Sequence, residues 1–204
     1  QGGIVLAADS RATGGQYVGC QSMKKILKIN DFMLGTLAGG AADCVYWDRV
    51  LTKQCYLYEL RYKKRISVAA ASKILANMIY SFKGLGLNMA MMLAGWDERG
   101  PNLYFLDSEG TRVAGKCFTA GSGSYYAQAV FDSEFKWDMT DQEAFELGRK
   151  AIYHATHRDG FSAGIVRIYH IIKTGWKKIS TDDCMTLHYN YKADKAKPRS
   201  VLIV

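Results

Sequence analysis

The sequence has 204 residues, of which 49% are hydrophobic and 23% are charged, as is typical of one globular domain with a substantial core. Its longest uncharged apolar stretch, at 84–96, is shorter than the ~20 residues of a membrane-spanning helix, and its start does not resemble a signal peptide. The net charge is +8, but residues 192–199 supply three of these charges and most of the others are scattered, so nucleic acid is not an expected partner.

The first part of the chain predicts strands followed by two helices. Apolar runs at 4–9, 26–29 and 32–38 are separated by turns that contain Gly, Asn and Asp, which predicts three strands. Apolar residues at 44, 47, 51, 55 and 58 then step by three and four, which predicts a long helix. Ser67 is a suitable N-cap for a second helix, and Gly84 is a suitable end for it.

Strand signals return at 89–96, 102–107 and 111–114, joined by the turns DERG and SEG. Thr140 and Glu143 form a capping box that opens a helix running towards His157. Residues 164–170 and 176–179 predict a closing hairpin around 173–175. We find no internal repeat and no interior linker, which predicts one domain over residues 1–191 and a basic tail over 192–204.

This order of elements predicts the layers of the fold. Both helix groups have one apolar face, so each should cover a sheet, and two facing sheets with helices outside both satisfy every apolar face. A doubly wound nucleotide-binding fold is disfavoured because no GxGxxG follows the first strand and the helices come in pairs. We therefore predict an α+β fold with four layers in the order αββα.

Metal and cofactor sites are not indicated. The five cysteines form no CxxC pair and leave an odd one, which favours free thiols in a reducing compartment over disulfides or zinc. His154 and His157 lie three apart on a predicted helix but lack a carboxylate at ligand spacing, so we interpret them as surface or core histidines. The run GSGS at 121–124 resembles a phosphate loop, but no lysine follows it and a turn is the simpler interpretation.

Small, chemically active groups stand at the predicted strand ends. They are Asp9 and Arg11 after the first strand, Lys25 before the second, Gly39 and Gly40 after the third, and Asp159 and Ser162 before a late strand. Each has a structural explanation by itself, but together they suggest that the strand ends converge on one site. A lysine held by a carboxylate stays charged and favours a deprotonated nucleophile, and a helix-start glycine leaves N–H groups open to an oxyanion.

Nine collinear motifs between residue 1 and about residue 191 carry a family resemblance. They are AADSRAT (7–13), KKI (24–26), LGTLAGGAADC (34–44), ELR (59–61), RISVAAASK (65–73), GLGLNM (84–89), GWDERGPNLYFLDSEG (95–110), GSGS (121–124) and THRDGFSAG (156–164). In these motifs the chain resembles the β-type subunits of the proteasome, and more narrowly the chymotrypsin-like, fifth β-type kind. The resemblance implies the αββα sandwich of the N-terminal-nucleophile hydrolases, in agreement with the predicted layers.

The resemblance also implies catalytic residues. In active members of this family a threonine is freed as the first residue, its hydroxyl attacks the peptide carbonyl, and its own α-amine takes the proton through water. The positions that match the rest of the catalytic group are Asp9, Lys25 and the buttressing Arg11, Gly39 for the oxyanion, and Ser122, Asp159 and Ser162 for the terminal amine and its water. The positions that match the substrate-binding residues are Ala12, Met23, Leu37 and Ala41 for the specificity pocket and Thr13 for the substrate backbone.

The implied function is that of a chymotrypsin-like threonine endopeptidase subunit of the proteasome core particle, which degrades unfolded polypeptides in the cytoplasm and nucleus. Its implied partners are other α- and β-type subunits in stacked heptameric rings, with no cofactor. The family's threonine-bearing strand precedes the segment that matches Gln1, so we expect the sequence as it stands to be inactive. The retention of Asp9, Lys25 and Ser162 favours truncation. The alternatives are a non-catalytic β-type ring subunit and a basic binding module.

Overall fold

A computed structural model describes residues 2–196, with side chains to residue 193. Its strands are β1 (Ile4–Ala8), β2 (Ala12–Gly14), β3 (Tyr17–Cys20), β4 (Ile26–Asn30), β5 (Met33–Thr36), β6 (Ala38–Gly39), β7 (Met89–Asp97), β8 (Gly100–Asp107), β9 (Arg112–Ala114), β10 (Ile165–Ile172) and β11 (Gly175–Asp183). Its helices are α1 (Ala41–Tyr62), α2 (Val68–Tyr80), α3 (Ser124–Glu134), α4 (Asp141–Arg158) and α5 (Cys184–Ala196). The predicted tail at 192–204 begins inside α5 and otherwise lies outside the described residues.

Two antiparallel sheets face each other at the centre of the fold. One has the strand order β1-β10-β11, and the other has the order β4-β5-β7-β8-β9, with β6 pairing with β7. The apolar layer between the sheets contains Leu6, Ile26, Leu34, Ala94 and Ile171. Helices α1 and α2 pack on the larger sheet, α4 packs on the smaller one, and α3 packs against α4. The predicted α+β fold with αββα layers is therefore confirmed.

Local sequence signals account for the helix starts. The Ser67 side chain accepts a hydrogen bond from the N–H of Ala70, and Thr140 and Glu143 make both bonds of their capping box. The predicted end of the second helix at Gly84 is wrong, because turns with i→i+3 hydrogen bonds replace the helix after Tyr80. No helix within residues 2–196 is both long and apolar enough to span a membrane.

Sequence analysis missed the hairpin of β2 and β3 and the helix α5. All four residues of β3 are exposed, so this strand lacks the alternation of apolar and polar residues that marks a half-buried strand. Helix α5 follows β11 directly at Cys184, with no turn residues to separate the two elements. The signals that were overlooked are Gly15, which has a φ of +60° in the hairpin turn, and Asp183, whose Oδ1 atom accepts the N–H groups of Met185 and Thr186 at the start of α5.

Asp48 is a buried carboxylate in the layer between α1 and the larger sheet. It is 5% exposed, and within the described part of the chain its Oδ1 atom has no hydrogen-bond partner. Burial raises the pKa of Asp48 from 3.8 to about 6, and the charge of Arg49 opposes this shift. The Asp48 carboxyl therefore binds its proton more tightly in the folded state than in the unfolded chain. Its contribution to the free energy of unfolding is full below the unfolded-state pKa of 3.8 and is lost as pH rises through the folded-state pKa of about 6.

We expect Asp48→Asn to increase the free energy of unfolding at pH 7.5 by roughly 2–3 kcal/mol, because it removes a charge that is buried without a partner. The gain should shrink as pH falls through 6 and be small at pH 4, which lies close to the unfolded pKa of 3.8, and it should vanish only below that value. Urea unfolding of the two chains at pH 4, 5.5 and 7.5 measures this difference. Asp31→Asn is the matched control, since the Asp31 side chain is 78% exposed. A gain that is the same at all three pH values would contradict the assignment.

Candidate active site

A cavity of about 720 Å³ runs along β1 to the start of α1 and to the loop before α3. Eleven of the twelve residues predicted from sequence line this cavity, namely Asp9, Arg11, Ala12, Thr13, Met23, Lys25, Leu37, Gly39, Ala41, Ser122 and Ser162. The twelfth, Asp159, lies behind Ser122 and Ser162, which are both hydrogen-bonded to it. The structure thus brings together residues that are up to 153 positions apart in the sequence, from Asp9 to Ser162.

Lys25 and Asp9 form an ion pair at the end of β1. The Lys25 Nζ atom donates to Asp9 Oδ1 over 2.6 Å, and the two side chains are 20% and 12% exposed. The other carboxylate oxygen of Asp9 accepts the backbone N–H groups of Arg11 and Ala163, each at 3.1 Å. Both oxygens of the carboxylate are therefore engaged, and this fixes the position of the ammonium group beside the cavity.

Arg11 connects the end of β1 to the loop that follows α4. Its Nη1 atom donates to the carbonyl oxygen of Gly160 over 2.9 Å, and its Nε atom donates to Gln21 Oε1 over 3.4 Å. The hydrogen bond from Arg11 to the Asp9 carboxylate comes from the backbone N–H and not from the guanidinium. Arg11 therefore supports the ion pair by holding the surrounding loops.

Asp159 accepts hydrogen bonds from two serine hydroxyls of the cavity, and the loop that follows it contacts Asp9 and Arg11. Ser122 and Ser162 donate to its Oδ2 atom over 2.6 and 2.5 Å, and the N–H of Phe161 donates to Oδ1 over 3.1 Å. Burial works to raise the pKa of Asp159, but these hydrogen bonds and the charge of Lys25 outweigh it and hold the pKa below its usual range. Asp159 is therefore ionised at neutral pH, and each serine oxygen keeps lone pairs for a further donor, such as an amine.

Gly39 and Gly40 line the cavity where β6 leads into α1. Gly39 has a positive φ of +90°, and a Cβ atom there would lie 2.9 Å from Asn88 Oδ1 and 3.0 Å from the carbonyl oxygen of Asn88. Gly40 is the N-cap of α1, and its N–H donates to the same carbonyl over 2.7 Å. The first N–H groups of a helix have no intrahelical partner, so the start of α1 favours negative charge at this wall.

Apolar side chains form the adjoining wall, where Ala12, Met23, Leu37 and Ala41 face the same cavity. Leu37 is buried, and its N–H donates to the carbonyl oxygen of Lys25 over 2.8 Å. This hydrogen bond ties the apolar wall directly to the lysine. Thr13 lies next to this wall and offers a hydroxyl and backbone groups.

The cavity also follows an open strand edge. Within the described residues, β1 pairs with β10 on one side only. Apolar residues of β8, α3 and α4 line the cavity in front of the other side, namely Leu103, Ala127, Phe131, Leu147 and Ala151. An unpaired strand edge that faces an apolar surface is suited to pairing with a further strand.

Sequence reasoning missed three residues that hold this site. Ser10 is fully buried, Asn88 contacts both site glycines, and Arg167 is a buried cation in the apolar segment IVRIYHII. Only Arg167 carried a visible signal, since a charged residue inside a buried strand requires polar partners. The partners of all three became clear only from the fold.

Comparisons with known proteins place these observations in a family. The family profile described as "Proteasome subunit" matches residues 1–171. Proteasome subunit beta type-5 of Dictyostelium discoideum is 58% identical over 190 residues, which are 93% of this chain and 70% of the relative. Proteasome subunit beta type-5-A of Arabidopsis thaliana is 56% identical over 94% of this chain and 70% of the relative. Proteasome subunit beta type-8 of Homo sapiens is 47% identical over 94% of this chain and 70% of the relative.

Proposed function

The chain belongs to the proteasome subunit family, and from that premise we propose that it is the chymotrypsin-like threonine peptidase subunit of a proteasome core particle. The family implies assembly with other proteasome subunits. We further propose that these are α- and β-type subunits in stacked heptameric rings, that the substrate is an unfolded polypeptide, and that the particle acts in the cytoplasm and nucleus. One observation carries the proposal: the Lys25–Asp9 ion pair, the start of α1 and the Ser122–Asp159 hydrogen bond all lie at one cavity, which also has an apolar wall.

The proposed nucleophile is the hydroxyl of a threonine that opens a strand ahead of Gln1. The open edge of β1 supports this placement, because a strand paired there would run antiparallel to Ile4–Ala8 and would bring its first residue beside Asp9. Gly3 lies just before β1 with a φ of +145°, and a Cβ atom there would lie 2.0 Å from the carbonyl oxygen of Ile171. This position therefore accepts only glycine.

The geometry supports a separate role for each group in the reaction. The Lys25 ammonium, fixed by Asp9, stabilises the negative charge on the threonine oxygen as that oxygen bonds to the substrate carbonyl carbon. The α-amine of the same threonine, held near the Ser122 and Ser162 oxygens, takes the hydroxyl proton and delivers it to the departing substrate amine. The backbone N–H of Gly39 stabilises the carbonyl oxygen while it is negatively charged. Water then hydrolyses the ester between threonine and substrate.

We expect the full-length chain in its particle to cleave after Leu, Tyr or Phe at least about 100-fold faster than after Arg or Glu, because a buried charge without a counter-ion costs several kcal/mol. The apolar wall of Ala12, Met23, Leu37 and Ala41 provides no counter-ion, and the flexible Met23 adapts to differently shaped side chains. Fluorogenic peptides that differ only in the residue before the cleaved bond measure this preference.

Two neighbouring alanines provide the matched variants for this test. Ala41→Val should narrow the cavity and lower kcat/KM for Phe more than for Ala, whereas Ala42→Val alters an exposed residue that does not line the cavity. Equal cleavage after Arg, Glu and Phe would contradict the chymotrypsin-like assignment. Assembled particles in which this full-length subunit cleaves no peptide would favour the alternative, a non-catalytic ring subunit.

A further inference from the structure

The segment 21–25, between β3 and β4, delivers two residues to the cavity, Met23 to its apolar wall and Lys25 to its ion pair. All three carbonyl groups of residues 21–23 are held by side chains from other elements. The Ser10 hydroxyl donates to the carbonyl oxygen of Gln21. Arg167 donates to the other two, from Nη2 to Ser22 over 3.0 Å and from Nη1 to Met23 over 2.6 Å.

Arg167 occupies a position where packing alone calls for an apolar residue. It is 9% exposed, and it lies on the same face of β10 as Tyr169 and Ile171, whose side chains belong to the layer between the sheets. Ala8 is its register partner on β1, directly before Asp9. A buried guanidinium is costly unless its N–H groups are hydrogen-bonded, and this one is bonded to the carbonyls of the segment that carries Met23 and Lys25.

Ser10 holds the same segment from the end of β1. Its hydroxyl accepts the N–H of Ile165 over 2.8 Å while it donates to Gln21, and its carbonyl oxygen accepts the N–H of Met23 over 2.9 Å. It is fully buried, so water does not compete for these bonds. Ser10 and Arg167 therefore hold residues 21–23 at four points.

We infer that Arg167, together with Ser10, is a positioning residue that sets where Met23 and Lys25 stand in the cavity. That Arg167 and Ser10 hold residues 21–23 in place does not depend on the proposed function. That they thereby affect turnover rests on the proposed function. Because the segment is short, a shift of its carbonyls displaces the apolar wall and the ammonium together. A misplacement of about 1 Å at a catalytic site typically costs about 100-fold in rate, so the effect on turnover should be measurable.

The test is Arg167→Met in the full-length chain within assembled particles, because methionine keeps much of the apolar stem but has no donor. We expect kcat/KM for cleavage after Phe to fall about 10-fold or more, and the preference for Phe over Ala to fall with it. Amide hydrogen exchange over residues 21–27 should become faster. Arg167→Lys should give an intermediate result, since one ammonium does not reproduce the two-pronged contact of a guanidinium.

Arg112→Met is the matched control. Arg112 donates to Ser72 Oγ over 2.8 Å and to the carbonyl oxygen of Ala69 over 3.2 Å, and it does not line the cavity. Its loss should change neither the preference for Phe over Ala nor exchange over residues 21–27. If Arg167→Met does not assemble, Ser10→Ala, which removes the bond to Gln21, carries the same expectations.

The two measurements separate the inference from the proposed function. Unchanged exchange over residues 21–27 in Arg167→Met would show that Arg167 does not hold residues 21–23 in place. Faster exchange with wild-type kcat/KM and wild-type preference would show that this hold does not affect turnover. Absence of turnover by this subunit in wild-type particles would instead refute the proposed function, and with it the effect of Arg167 on turnover.

Discussion

Lys25→Ala is expected to lower kcat for cleavage after apolar residues by about 100-fold or more and to leave KM nearly unchanged. The ammonium is held 2.6 Å from the Asp9 carboxylate, and in the proposed reaction it stabilises a charge that forms only as the threonine oxygen attacks. An interaction that is stronger in the transition state than in the ground state affects turnover rather than binding. Peptide turnover by assembled particles that carry the full-length variant measures the loss.

Lys24→Ala is the matched control for this change, because Lys24 is the adjacent lysine and its side chain is exposed. It should cleave at the wild-type rate. Lys25→Arg should be nearly as impaired as Lys25→Ala, since a planar guanidinium does not fit the compact position of an ammonium. Normal turnover by assembled Lys25→Ala particles would remove the catalytic role of Lys25.

Gly39→Ala is expected to reduce kcat by a similar factor, about 100-fold or more, because it displaces the backbone N–H that is proposed to stabilise the oxyanion. The new Cβ atom would lie 3.0 Å from the carbonyl oxygen of Asn88. That carbonyl is held by the N–H of Gly40, and the N–H of Asn88 is held by the Asp43 carboxylate. The surroundings therefore cannot yield easily, and the strain falls on residues 39–40.

Alanine at a position with positive φ strains the backbone wherever it lies, so a second glycine with positive φ, away from the cavity, serves as the control. Gly100 has a φ of +98°, and a Cβ atom added there has no neighbour within 4 Å. Gly100→Ala should therefore cost about 1–2 kcal/mol of stability from backbone strain alone and leave kcat unchanged. If assembled particles that carry Gly39→Ala showed the same normal kcat, Gly39 would have no part in stabilising the oxyanion.

The elements that the sequence predicted correctly are those whose signals are local. The cap at Ser67 and the capping box at Thr140 each depend on residues within one helical turn, and each step of the apolar stripe of α1 spans three or four residues. The four layers followed from the order of elements, since each apolar face has to be covered. The twelve candidate site residues came from motif resemblance, and the fold brings them together around one cavity.

Composition, periodicity and motifs are read locally, and they were enough to predict the layers, the caps of α2 and α4 and a set of candidate site residues. Three features could be known only from the fold: Arg11 reaches Gly160, Asp48 is buried, and Arg167 holds the carbonyls of Ser22 and Met23. The last contact joins residues more than 140 positions apart. Such contacts depend on strand register and sheet packing, which arise when distant segments meet and which no local pattern records.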